Sequence, residues 1–153
     1  MPTVLLPVPH YKQIAPHNCL PACARMVLTY LEQPVTEAAL ATKLEATVLG
    51  TPGNRLLRLN SPTLLVEFGP LTLPLIYNYI DNGAPIIALV RTGFLDYYHV
   101  DMAHAVVVVG YDDQYLLLND PDFDIAPQQA TRNGFLAAWG EFDFLAATIK
   151  IRV

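Results

Sequence analysis

His104-Ala105-Val106-Val107-Val108-Val109-Gly110-Tyr111-Asp112-Asp113-Gln114-Tyr115-Leu116-Leu117-Leu118-Asn119-Asp120-Pro121 is the stretch on which the fold turns. Two apolar runs flank Asp112-Asp113-Gln114, a short polar turn, so the stretch predicts two β-strands paired as a hairpin. In a hairpin the beginning of the first strand lies beside the end of the second. That places His104, an imidazole, next to Asp120, a carboxylate.

Outward from the hairpin, Pro85 to Val90 is a nearly continuous apolar run, as expected for a central strand covered on both faces. Between it and His104, residues 91–102 read as a loop carrying Tyr97 and Tyr98, rings placed either to hold substrate side chains in a cleft or to pack its rim. Residues 121–131 read as a long connection, Asn133 to Trp139 as a short helix and Phe144 to Ile151 as a last strand. Upstream, Leu73 to Asn82 has helical spacing, with Leu75, Ile76, Tyr79 and Ile80 on one side and Gly83 as its C-cap. Thr36 caps a helix running to about Leu44, and Glu37 in its first turn suits the helix dipole. Residues 50–62 are dense in turn residues, and Thr63 to Phe68 is a short strand or extended segment.

The other decisive stretch is Gln13-Ile14-Ala15-Pro16-His17-Asn18-Cys19-Leu20-Pro21-Ala22-Cys23, a polar loop running into an apolar helical pattern. Asn18 is a good N-cap and Pro21 fits a first turn. Ala22, Met26, Val27, Tyr30 and Leu31 continue with helical spacing. Cys19 therefore sits at a helix tip, where unpaired N–H groups and the positive end of the dipole favour thiolate, the form that attacks carbonyls. Such a nucleophile needs a base and a group to orient it, and His104 with Asp120 is the best set in the chain. Gln13 supplies an amide able to fold back beside the thiol. His99 and His17 are weaker bases by position, and His10 reads as surface or rim.

Cys23, four residues on, reads as a small buried core residue, since helical geometry at that spacing seldom permits a disulfide. Two cysteines without a cysteine-rich tract give poor support for zinc, and no metal or organic cofactor is expected. The chain has 153 residues, 53% of them hydrophobic, which predicts one folded domain over 1–153 rather than disorder. Fourteen acidic against nine basic residues give a net charge of −5, leaving no basic patch for nucleic acid. Residues 1–10 lack a basic n-region and are cut by prolines, and no apolar run approaches the roughly 18 residues of a membrane span. A soluble, cytoplasmic protein is the expectation.

Gln13 and Cys19 six apart, then His-Ala-Val-Val-Val-Val-Gly-Tyr-Asp and Asn-Asp-Pro in that order, resemble the papain-like cysteine peptidases, and most of all the C39 and C39-like group. Residues 8–13, 85–93 and 135–139 are similar to that group's pattern too, so the likeness spans nearly the whole chain. The resemblance implies an α+β papain-like fold, with a helical layer carrying Cys19 packed on an antiparallel sheet carrying His104 and Asp120. It implies Cys19 as nucleophile, His104 as base, Asp120 as its orienter and Gln13 as side-chain donor of the oxyanion hole, acting on a peptide or protein substrate. Leu20 departs from the family's usual glycine after the nucleophile, and as a bulky residue it is expected to meet substrate and narrow the cleft. Hydrolysis, acyl transfer to an amine, and peptide binding without turnover all remain compatible with these residues.

Overall fold

Four consecutive valines offer no polar face to water, so the strand that holds them has to be covered on both sides. The computed structural model, which describes residues 3–153, meets that demand with two layers of helix around one sheet. Its strands are β1 (Val4–Leu5), β2 (Leu64–Pro70), β3 (Ile86–Arg91), β4 (Ala103–Tyr111), β5 (Tyr115–Asn119), β6 (Gln128–Thr131) and β7 (Leu145–Ile151). They lie in the order β2-β7-β3-β4-β5-β6, every pairing antiparallel. β1 takes the edge of β4 beyond the end of β3, pairing Leu5 with Gly110. A side chain at Gly110 would press its Cβ to 2.1 Å from the Val4 carbonyl oxygen, so only glycine admits β1 there.

Two helices, α1 (Cys19–Tyr30) and α2 (Glu37–Lys43), cover one face. α1 is buried almost all round: Leu20, Cys23, Met26, Val27 and Leu28 pack with Ala105, Val107 and Val109 of β4 and Ile87 of β3. It ends where Glu32 turns to a φ of 61°. On the other face lie α3 (Leu73–Asp81) and α4 (Arg132–Gly140), whose Ile76, Ile80, Phe135 and Trp139 pack on Val106, Val108, Ile86 and Leu118. β4 thus sends alternate valines into two cores, as its pleat requires.

The expected elements are present, with corrections where no sequence period marked them. Part of the 121–131 connection is β6, zipped onto β5 from Tyr115–Thr131 to Leu118–Gln128. The turn-rich segment holds a 3-10 helix over Gly53–Leu59. Leu75 is 45% exposed rather than turned inward. Thr36 caps α2 as expected, its hydroxyl accepting from the Ala39 N–H at 3.1 Å. No helix among the described residues is long and apolar enough to cross a membrane.

Candidate active site

The β4–β5 hairpin closes as its sequence requires, with Asp112 Oδ1 accepting the Gln114 and Tyr115 N–H groups across the turn. A register shift between Val108 and Gly110 sets Asn119 opposite Val107, so Asp120 leaves the strand alongside the start of β4. There His104 Nε2 meets Asp120 Oδ1 at 2.7 Å, both side chains buried. The same oxygen accepts the Asp122 N–H at 2.9 Å, and Oδ2 accepts the Tyr97 hydroxyl at 2.7 Å. Three donors satisfy a carboxylate that is fully out of water, which otherwise would be costly to bury.

Three ties bring the loop before Cys19 to this corner. Asn119 Nδ2 donates to Val8 O, His10 Nε2 donates to Phe123 O at 2.6 Å, and the Gln13 N–H donates to Pro121 O at 2.7 Å. The chain from Val8 to Gln13 therefore runs beside residues 119–123 and delivers α1 with its tip toward His104. Cys19, partly exposed, and His104 share one cleft of about 500 Å³, with Leu20, Leu49, Leu89 and Phe142 among its walls. Cys19 stands close enough to the His104 ring to raise its pKa. Since Nε2 is committed to Asp120, Nδ1 is the nitrogen left for the thiol.

Burial alone draws the His104 pKa down. The hydrogen bond to Asp120 and the closeness of Cys19, with the negative charge on both, more than offset it and raise the value from 6.5 to about 10. A folded value above the unfolded one means that the protonated ring stabilises the fold fully below 6.5 and that this contribution is lost as pH rises through about 10. The stability gap between wild type and His104→Ala, measured by urea unfolding, is therefore expected to narrow across that window. A gap independent of pH would contradict the charged pair. Cys23, one turn further along α1, is fully buried, and burial, then the charges of Cys19 and Asp120, push its thiol well up. It stays protonated and packed in the core, as its spacing suggested.

Other expectations are corrected. Tyr97 and Tyr98 do not line the cleft. Tyr97 backs Asp120, while the Tyr98 hydroxyl donates to the Asp122 carboxylate and its ring lies 5.6 Å from that of His104. Both pack edge-on against Phe123, so the pair forms a wall behind the imidazole. Burial first, then the neighbouring carboxylates, push both hydroxyl pKa values up, which keeps them donors. Leu20 does border the cleft, but it is only 1% exposed and belongs to the core beneath it. Asn18 occupies the N-cap position without capping: its side chain makes no bond to the helix and donates to Glu37 Oε2 at 3.3 Å. The Gln13 side chain is turned onto its own loop, Nε2 reaching Ala15 O at a long 3.4 Å while Oε1 is buried without a partner. His17 and His99 are exposed. No cluster that could hold a metal ion occurs among the described residues.

Sequence reasoning missed Glu37 as more than a dipole partner. It is 2% exposed, and its carboxylate accepts from the loop between Gln13 and Cys19. The available signal was its position three residues before Leu40 and seven before Leu44, on the face of α2 that is buried.

Residues 5–147 match the model of the Peptidase_C39 like family. Among solved structures, the chain is similar to a protein from Bacillus anthracis assigned as a C39-like peptidase, at 18% identity and TM-score 0.79, covering 99% of each chain. It is also similar to the peptidase domain of Streptococcus ComA, a bifunctional ABC transporter of a quorum-sensing pathway, at 19% identity and TM-score 0.77, covering 95% of this chain and 99% of that one. A double-glycine-motif protease from an AMS/PCAT transporter, solved with its leader peptide, shares 16% identity at TM-score 0.74, with 99% of both chains covered. At these identities the structural likeness establishes the fold, a papain-like arrangement of helices and antiparallel sheet. No curated protein matches the sequence.

Proposed function

The chain belongs to the C39-like peptidase family, and we propose that it is a cysteine peptidase working through Cys19, His104 and Asp120. The observation that carries this reading is the His104 imidazole held between a fully buried carboxylate and a thiol that opens on a cleft. In the reaction, His104 Nδ1 takes the Cys19 proton, and the ion pair is favoured by Asp120 on one side and the α1 dipole on the other. The thiolate attacks the carbonyl carbon of a peptide bond. The oxyanion is met by the Cys19 N–H, which has no carbonyl within the helix to serve, and by Gln13 Nε2, which exchanges its long bond to Ala15 O for the stronger acceptor. His104 returns the proton to the leaving amine as the C–N bond breaks. Water, deprotonated by the same imidazole, then cleaves the thioester and releases the acid.

The extent of the family match and the single sheet shared by both cores support one peptidase domain over 1–153. The leader peptide bound by one structural relative supports a peptide as substrate here. Incubation with a peptide library, with and without added amines, tests the reaction by mass spectrometry. New carboxyl termini that require Cys19 are the expected products. Amide-capped products in their place would make the enzyme a transferase, and an unaltered library would leave a peptide-binding module.

A further inference from the structure

Glu37 enters the buried face of α2 at its first residue, yet its carboxylate serves a different part of the chain. The Ile14 N–H donates to both of its oxygens, at 3.0 and 2.9 Å. Oε2 also accepts the Ala15 N–H at 3.2 Å and Asn18 Nδ2 at 3.3 Å. A carboxylate has only acceptors to offer, and here they are spent on one loop. That loop begins at Gln13 and ends at Cys19, the two residues to which the peptidase reading gives the oxyanion donors. The bonds fall beside each of them, at residues 14 and 15 on one end and at residue 18 on the other. Glu37 also explains why Asn18 leaves the helix uncapped: its amide is drawn to the carboxylate and away from the first-turn N–H groups.

We infer that Glu37 is a positioning residue of the oxyanion hole, fixing the Gln13 amide relative to the Cys19 N–H and holding the Asn18 side chain off the helix tip. This inference rests on the cysteine-peptidase reading. It separates two chemistries of one sulfur. Acylation by a p-nitrophenyl ester forms a C–S bond, passes through an oxyanion and expels nitrophenolate. Alkylation by iodoacetamide forms a C–S bond in one displacement, expels iodide and develops no oxyanion. Only the first needs the hole.

In the full chain, Glu37→Ala is expected to slow acylation of Cys19 on the order of 10- to 100-fold, the scale of a misplaced catalytic geometry, while alkylation stays within about twofold. A merely structural role would lower both rates together, and that result, or an acylation rate unchanged, would overturn the inference. If Glu37→Ala fails to show a cooperative thermal transition, Glu37→Gln serves in its place. It keeps the shape and one acceptor, and should show a smaller loss confined again to acylation. Failure of the underlying reading looks different, because it shows in the parent chain: acylation of wild type that is indifferent to both Cys19→Ala and His104→Ala would remove the peptidase assignment, and the role of Glu37 with it.

Discussion

If Cys19 is the nucleophile proposed, Cys19→Ala is expected to abolish peptide cleavage, with a loss on the order of 10⁶ in rate, as for removal of the nucleophile from a covalent serine hydrolase. Stability should barely change, because the side chain is only partly buried and alanine suits a helix. No second thiol can substitute. Cys23 lies one turn deeper in α1, fully buried, with its proton retained by burial and by the charges beside it. Cleavage that survives in purified Cys19→Ala would place the chemistry elsewhere.

Asp120 should divide its two simplest variants sharply. Asp120→Ala leaves His104 Nε2, the Tyr97 hydroxyl and the Asp122 N–H without the fully buried carboxylate that accepts from them. Breaking a buried pair in this way costs about 3–5 kcal/mol, and under the proposed mechanism losing the group that orients His104 costs on the order of 10⁴ in rate. Asp120→Asn is expected to keep most of the stability and a larger share of activity. Its carbonyl oxygen can still accept from His104 and Asp122, and its amide faces a Tyr97 hydroxyl that rotates to accept. Equal melting temperatures for the two variants would show that the three hydrogen bonds do not matter to the fold.

The parts of this arrangement that sequence revealed are those set by local pattern. Two apolar runs and the polar turn between them were enough to pair His104 with Asp120, and helical spacing after Asn18 was enough to put Cys19 at a helix tip. What escaped was set by partners distant in the chain. β7 lies between β2 and β3, an insertion that no period in residues 145–151 announces. β1 has two residues and exists because Gly110 lets it approach. Tyr97 looked like a cleft residue because aromatic loops often are. Its partner Asp120 lies 23 positions away, and only the packing of the 91–102 loop against Phe123 brings them together. Glu37 was legible as a helix-start residue, but its burial depends on α2 packing against the loop before α1.

The proposal that Cys19 and His104 share a proton is tested most directly by the rate at which iodoacetamide modifies Cys19 near neutral pH, followed by peptide mapping in wild type and His104→Ala. Fast modification of Cys19 with Cys23 untouched, slowed strongly when His104 is removed, is the expected result. Modification of Cys19 at the same rate in both proteins would contradict it.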